Sequence, residues 1–153
     1  MKIDIFKVIT MLSLHETEEI NIGDKTPFDG VSEQEKLEMG KKAVAKIFSV
    51  LDKKDMFTQL VDEFNERQTP EAKFAYFCDK MECDLQAKKY SDDGRCSFEN
   101  VSKNIMEDER VKKIIANGAK SVGDVFIDYD TYRYAESDIF FDMIHFLREY
   151  STK

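Results

Sequence analysis

The sequence predicts an all-α protein in which about five to six helices form a bundle. Six Gly and two Pro among 153 residues leave little material for turns, while apolar side chains recur at helical spacing along most of the chain. Hydrophobic residues make up 42% and charged residues 35%, a balance that excludes collagen-like, low-complexity and wholly disordered chains. The length is that of one compact domain, so we expect residues 1–153 to form a single domain.

Apolar periodicity and helix-start signals place six helices. They are expected at residues 3–20, 33–51, 53–68, 70–89, 98–116 and 136–150. Ser32 and Glu35 form the capping-box pattern that starts the second helix, and Thr69 followed by Pro70 is a typical start for the fourth. The first helix is apolar enough to be buried on most sides. The aromatic-rich stretch 125–134 is predicted to be extended or irregular.

The apolar stripes also predict which side chains face inward. On the second, third and last helices these residues are Leu37, Val44, Ile47, Phe48, Leu51, Met56, Leu60, Val61, Phe64, Ile139, Phe140, Met143, Ile144 and Leu147. Residues 21–31 contain Gly23, Pro27 and Gly30, and are expected to form the loop between the first two helices.

Charge and cysteine content limit the partners and the compartment. Twenty-three basic and 31 acidic side chains give a net charge of −8, which repels nucleic-acid polymers. No apolar stretch approaches the ~20 residues of a membrane span, and the N-terminus predicts no signal peptide, so we expect no membrane partner. Cys78, Cys83 and Cys96 form no CxxC pair and are interpreted as reduced thiols of a cytoplasmic protein rather than metal ligands.

A histidine lies at the C-terminal end of the apolar stripe of the first helix, and several carboxylates follow it. At 100° per residue, Val8, Met11 and His15 share one side of that helix, and Glu19 stands one turn beyond His15. Two readings are open. His15 could be a core histidine bonded to a carbonyl group, or the acidic residues around it, which are Glu16, Glu18, Glu19 and Asp24, could be neutralised by a divalent cation.

Asp79 is the second carboxylate in an unexpected place. On the fourth helix it aligns with Ala72, Ala75 and Cys83, a strip of small side chains where another helix can approach closely. Asp79 either caps or pairs with a neighbouring helix, or it meets His15 and Glu16 at one metal ion. Pairing with Lys80 is disfavoured because adjacent helical residues point about 100° apart. A His, Glu and Asp set suits Mn, Fe, Co, Zn or Mg.

These residues belong to a longer pattern. It comprises His15-Glu16, Glu19, Ile22-Gly23-Asp24, Thr26 to Gly30, Thr69-Pro70-Glu71-Ala72, Asp79-Lys80-Met81-Glu82 and Leu85-Gln86-Ala87. The pattern resembles the HD-domain metal-dependent phosphohydrolases, and in particular the branch similar to 5′-deoxynucleotidases. That branch reads roughly H-D-x-x-E-x-x-x-G-D and, further along, T-P-E-A-x-x-x-x-x-x-D-K-x-E. The resemblance covers a motif-bearing part, residues 3–90, and leaves 97–150 as a helical extension.

The resemblance implies a role for each matched residue. His15, Glu16 and Asp79 correspond to metal ligands, and the metal would be a divalent ion. Glu19 and Asp24 correspond to the acidic residues that position or deprotonate the attacking water and protonate the leaving group. Lys80 is a weaker candidate for phosphate contact. The implied substrate is a nucleoside or deoxynucleoside 5′-monophosphate, or a similar small phosphoester.

The sequence departs from the family pattern at two points. The name-giving pair is His-Glu instead of His-Asp, so the carboxylate stands further from the backbone. The family also takes its first metal-binding His from a helix before this pair, whereas here the pair's own helix begins near residue 3 and His145 matches no ligand. We therefore expect an N-terminally shortened domain that covers its exposed apolar surface by homo-oligomerisation. The alternative is a catalytically incompetent remnant that acts as a binding or assembly module.

Overall fold

The computed structural model describes residues 2–26 and 28–150, so the predicted loop residue Pro27 lies outside the described residues. These ranges form nine α-helices and two 3₁₀ helices and contain no β-strand, which confirms the all-α class. The α-helices are α1 (Ile5–Leu14), α2 (Glu19–Ile22), α3 (Glu33–Phe48), α4 (Lys54–Glu66), α5 (Pro70–Asp92), α6 (Lys103–Glu107), α7 (Glu109–Ala116), α8 (Val122–Asp130) and α9 (Asp138–Glu149). The 3₁₀ helices are Phe98–Asn100 and Thr131–Tyr134. None of the described helices has both the length and the apolar composition that a membrane crossing requires.

Both predicted helix-start signals are confirmed. The Ser32 hydroxyl accepts a hydrogen bond from the Glu35 amide at 3.2 Å, and the Glu35 carboxylate accepts one from the Ser32 amide at 3.0 Å. At the start of α5, the Thr69 hydroxyl accepts from the Ala72 amide at 3.2 Å. Each of these bonds satisfies an amide that has no partner within its own helix.

The first predicted helix is shorter and more exposed than expected. It ends at Leu14, and its continuation is a turn followed by the four-residue helix α2. Val8 and Met11 are buried, but Phe6 is 84% exposed and Ile5 and Ile9 are more than half exposed. The expectation of burial on most sides was therefore wrong, because α1 is buried along one side while its remaining apolar side chains face outward.

The stretch 125–134 was also predicted wrongly, since it is helical. The Ser121 hydroxyl accepts from the Asp124 amide and the Asp124 carboxylate accepts from the Ser121 amide, so a capping box starts α8 just before the aromatic run. The short Ser-x-x-Asp signal was masked by the β-branched and aromatic residues after it, whose intrinsic preference favours strands. The predicted helix 98–116 is likewise divided into a 3₁₀ turn, α6 and α7.

The chain forms two compact units, one within residues 1–76 and one within 77–153, and the boundary falls inside α5. The single-domain expectation stays a prediction. In the first unit α1 contacts α4, α2 contacts α3, and α3 contacts α4. Among the described residues its core includes two clusters, Val8, Met11, Phe64, Ala72 and Ala75 in one and Val44, Phe48 and Val61 in the other.

In the second unit the last two helices and the 3₁₀ helix between them pack on the continuation of α5. The Tyr134 ring lies 6.0 Å from the Phe77 ring and 6.3 Å from the Phe140 ring. α8 approaches the α5 backbone at Gly123, where an added Cβ would lie 2.6 Å from Lys88 Cα. A side chain at this position would therefore push the two helices apart.

Four predicted inward-facing residues are exposed. Leu51 and Met56 lie outside the first-unit core, and Ile139 and Met143 point outward on α9, where Phe140 and Ile144 are the buried positions. Apolar residues surround α9, so periodicity alone did not decide which of its stripes is buried. The buried stripe is one residue further round the helix than Ile139 and Met143.

Candidate metal centre

His15 follows the last residue of α1, and its ring is fixed from two sides. Its Nδ1 donates a hydrogen bond to the Leu12 carbonyl at 2.8 Å, and its ring centroid lies 4.9 Å from that of Phe64. Because a carbonyl oxygen only accepts, Nδ1 carries a proton, so Nε2 is the nitrogen that can bind a metal when the ring is neutral. This is the usual arrangement of a metal-binding histidine, in which a bond at one nitrogen orients the other. It is also the carbonyl-bonded arrangement of the first reading, so the two readings do not exclude each other.

Glu16 supplies the carboxylate next to this nitrogen. Its Oε1 lies 3.8 Å from His15 Nε2, and its side chain is 68% exposed. An imidazole nitrogen and a carboxylate oxygen at this separation can bind one cation, since metal–ligand bonds of about 2.0–2.2 Å place two ligands roughly 3–4 Å apart. The exposed carboxylate has little desolvation to overcome when a metal or a substrate arrives.

The backbone tightens between α1 and α2. Thr17 donates to the Leu14 carbonyl, Glu19 to Glu16 and Ile20 to Thr17, and all three bonds span three residues instead of four. A turn of this type has three residues. The side chain that points inward one turn after His15 is therefore Glu18 and not Glu19. Glu18 is 9% exposed, whereas the regular helical spacing had placed Glu19 there.

Glu19 and Asp24 lie on either side of the end of α2. Gly23 ends this helix with φ of 71°, a left-handed conformation that favours glycine, and the chain reverses direction before Asp24. Burial raises the pKa of Glu19, and the neighbouring Asp24 and Glu16 carboxylates raise it further. A carboxyl group with a raised pKa is a better proton carrier near neutral pH than a fully exposed one.

Asp79 lies on the strip of small residues that the sequence predicted. Ala72 and Ala75 are fully buried against Val8 and Met11, and Asp79 follows one turn further along α5. His15, Glu16 and Asp79 each offer one ligand atom, and these three atoms lie within 4.8 Å of one another. The chain thus has a group of one imidazole and two carboxylates that could hold a metal ion.

The expectation about Lys80 was wrong. Lys80 Nζ lies 2.9 Å from Asp79 Oδ2, although the two residues are adjacent on the helix. The Cα–Cβ vectors do diverge by about 100°, but the four methylenes of lysine are long and flexible enough to bring the ammonium group back. A positive charge therefore already faces this carboxylate.

The fold also buries Asp84 and Asp124, two carboxylates that belong to no metal-binding or catalytic motif in the sequence. Asp84 is fully buried, and its Oδ2 accepts a hydrogen bond from the Tyr134 hydroxyl at 2.6 Å. Burial raises the pKa of Asp84 to about 7. His145 is exposed on α9, with its ring 4.4 Å from that of Phe141.

The comparison with protein families identifies the class. The sequence profile described as the HD domain matches residues 1–122, most of the chain. This match includes α1, the turn after it and the whole of α5, the elements that carry the imidazole and carboxylate group. The chain belongs to the HD domain family.

A comparison with curated proteins gives a more particular likeness. The chain is 35% identical over 92 residues to 5′-deoxynucleotidase HDDC2 of Dictyostelium discoideum, an alignment that covers 58% of this chain and 48% of that protein. The chain therefore spans about half the length of the curated relative that it matches. No solved structure matches the chain significantly.

Proposed function

We propose that this chain is a metal-dependent phosphohydrolase that acts on nucleoside or deoxynucleoside 5′-monophosphates or a similar small phosphoester. Membership of the HD domain family and the likeness to a 5′-deoxynucleotidase support this class of substrate. The observation that carries the proposal is the state of His15, whose Nδ1 is bonded to the Leu12 carbonyl so that Nε2 and the Glu16 carboxylate offer ligands side by side.

The proposed site uses its residues in two roles. His15, Glu16 and Asp79 would hold a divalent ion of the Mn, Co, Fe, Zn or Mg class, which when bound lowers the pKa of water and screens the charge of the phosphate. Glu19 and Asp24 would position the attacking water, take its proton and return a proton to the leaving oxygen. Lys80 would contact a phosphate oxygen, since its ammonium group already pairs with the Asp79 carboxylate.

The direct test is phosphate release from a panel of nucleoside 5′-monophosphates with added Mn²⁺ or Co²⁺. Asp79→Ala is expected to abolish release, because one of three protein ligands is lost, whereas Asp142→Ala on the exposed surface of α9 is the matched control. Equal rates for the two variants would refute the assignment. So would a lack of release by the unaltered chain at any metal concentration, provided that circular dichroism shows it folded.

The rival proposal is a catalytically incompetent HD-fold domain that acts as a binding or assembly module. The composition of the ligand group favours it, since this group has a single histidine and the other histidine of the chain is exposed on α9. Metal analysis of the purified protein separates the two. The enzyme is expected to carry close to one equivalent of transition metal and to gain thermal stability from added metal, and the module neither.

The expected self-association also stays a prediction. Phe6 is 84% exposed and Ile5 and Ile9 are more than half exposed, so α1 presents the apolar surface on which the prediction depends. Sedimentation analysis of the purified chain decides it. A monodisperse monomer that binds no hydrophobic dye would contradict it.

A further inference from the structure

A lysine in the first turn of α3 reaches back to the loop that precedes this helix. Lys36 is the fourth residue of α3, and its Nζ donates a hydrogen bond to the Lys25 carbonyl at 2.8 Å, eleven residues earlier in the chain. The helix dipole disfavours a cation in the first turn, where Glu33 and Glu35 are the residues that stabilise α3. The contact with the loop therefore explains a lysine at this position, whereas the stability of the helix does not.

This hydrogen bond fixes the backbone beside Asp24. On one side of Asp24, Gly23 ends α2 in a left-handed conformation, and on the other side the next carbonyl, that of Lys25, is the one bonded to α3. Further along the loop, the Asp29 carboxylate accepts from the amide and the hydroxyl of Thr26, both at 2.7 Å. Asp24 itself is exposed and its side chain bonds to no residue in the described ranges, so its position depends on the backbone around it.

The ammonium group of Lys36 also faces the acids at the start of α2. Burial and the neighbouring Asp24 and Glu16 carboxylates raise the pKa of Glu19, and Lys36 is the described group that lowers it. Lys36 likewise opposes the rise that burial causes in the pKa of Glu18. One positive charge thus acts on two adjacent acids, which would otherwise repel each other and Asp24 more strongly.

We propose that Lys36 is a positioning residue for the phosphohydrolase site. Its bond to the Lys25 carbonyl holds Asp24 in place for proton transfer, and its charge offsets the repulsion among the acids that surround this loop. The inference rests on the proposed function, because Lys36 acts through Asp24 and Glu19 and is assigned no contact with the reacting atoms. A small displacement of a proton carrier is enough to slow a reaction strongly, so such a hydrogen bond has a measurable effect on the rate.

The first test compares Lys36→Met with Lys36→Arg in phosphate release with added Mn²⁺. Lys36→Met removes the donor and is expected to lower kcat by about 10–100-fold with KM changed by less than about twofold, since a displaced proton carrier slows the chemical step without weakening substrate binding. Lys36→Arg keeps a cationic donor for the same carbonyl and is expected to restore most of the lost kcat. Lys42→Met is the matched control, because Lys42 is exposed on the same helix and bonds to no described residue.

The second test needs neither metal nor substrate. A lysine-specific protease cleaves after Lys25 when the loop opens, and mass spectrometry measures this cleavage in the folded protein. Lys36→Met is expected to be cleaved there about 10–100-fold faster, because the closed loop loses a hydrogen bond to a charged group. Lys36→Arg and Lys42→Met are expected to behave like the unaltered chain. An unaltered chain that releases no phosphate would refute the proposed function, and the cleavage rates would still show whether Lys36 holds the loop.

Three outcomes would overturn the proposal. Equal kcat in Lys36→Met and Lys42→Met would show that Lys36 has no part in the reaction. A raised KM with an unchanged kcat would make Lys36 a substrate contact, since two of its three N–H groups bond to no described residue. Unchanged cleavage after Lys25 in Lys36→Met would show that the hydrogen bond does not hold the loop.

Discussion

The two units of the chain each bury a carboxylate, but in different surroundings. In the first unit Glu18 borders a small open pocket, and burial raises its pKa against the opposing effect of Lys36 and His15. In the second unit Asp84 is sealed in a core where its Oδ2 bonds to Tyr134 and its Oδ1 has no partner among the described residues.

The difference shows two ways in which a protein tolerates a buried acid. Where the carboxylate lies near basic side chains, as Glu18 lies near Lys36 and His15, the protein itself supplies the opposite charge. Where the carboxylate is fully buried, as Asp84 is beneath its hydrogen bond from the Tyr134 hydroxyl, a proton neutralises it. The stability of the chain should therefore depend on pH mainly through the second acid, Asp84.

The largest expected effect is the pH dependence of stability that Asp84 confers. Its pKa is about 7 in the folded protein against an ordinary value of 3.8, so between these values the folded chain holds a proton that the unfolded chain has released. Asp84 therefore costs no stability below pH 3.8, where it is protonated in both states. As the pH rises above this value the free energy of unfolding falls, by about 4 kcal/mol in total by pH 7. Urea unfolding at a series of pH values, compared with the non-titrating variant Asp84→Asn, isolates this effect.

Tyr134→Phe provides the control for this prediction. The hydroxyl hydrogen bond lowers the pKa of Asp84, in opposition to burial and to the nearby Asp130 carboxylate. Its removal is expected to extend the loss of stability to higher pH than in the unaltered chain. If the unaltered chain and Asp84→Asn give parallel stability curves from pH 4 to pH 7, the proton is not what neutralises the buried acid.

A smaller effect is expected at Asp124, a buried carboxylate of the second unit whose partners are complete. Its oxygens accept from the Lys120 and Ser121 amides at 2.8 and 3.1 Å, and one lies 3.0 Å from Arg148 Nη1. Asp124→Ala removes a helix cap and a charge partner together and is expected to cost about 3 kcal/mol in the free energy of unfolding. Urea unfolding at constant pH measures this loss.

Asp128→Ala is the matched control, because Asp128 pairs with the same guanidinium group at 2.9 Å but is 34% exposed. Its loss is expected to cost no more than about 1 kcal/mol, since Arg148 keeps its partner in Asp124 and exposed ion pairs contribute little. Equal costs for the two variants would show that burial does not distinguish these carboxylates.

The fold class and several helix starts could be predicted because they depend on local chemistry. The Ser32–Glu35 box and the Thr69-Pro70 start need only residues within one turn, and the structure contains both bonds. The break after Leu14 and the helical state of 125–134 could not be predicted in this way. They depend on hydrogen bonds and packing that outweigh the preference of the local sequence.

The part of the candidate site that depends on local sequence could also be predicted. His15 and Glu16 are neighbours in sequence, and Asp79 extends a strip of small side chains that periodicity reveals. The pairing of Lys80 with Asp79 depends on the conformation of a long side chain, which the sequence pattern does not specify. The burial of Glu18 and Asp84 depends on how each helix is rotated against its neighbours, which the pattern does not specify either. Tertiary contacts thus decided which acids the fold buries.

The smallest effect is expected at Gly40, where it tests the contact that holds Glu18. In an ordinary helix Gly→Ala stabilises by about 1 kcal/mol, and Gly40 lies inside α3. Here the new Cβ would meet Glu18 Oε2 at 2.4 Å. Because this oxygen is the far end of a flexible side chain, it can turn aside, and Gly40→Ala is expected to gain clearly less than that amount in the unaltered chain. In a Glu18→Ala background the obstruction is gone and the full gain is expected. Urea unfolding of the four proteins gives a coupling of about 0.5–1 kcal/mol. If the two changes were additive, Glu18 would not rest on α3, and the buried acid of the first unit would differ less from an exposed one than its position implies.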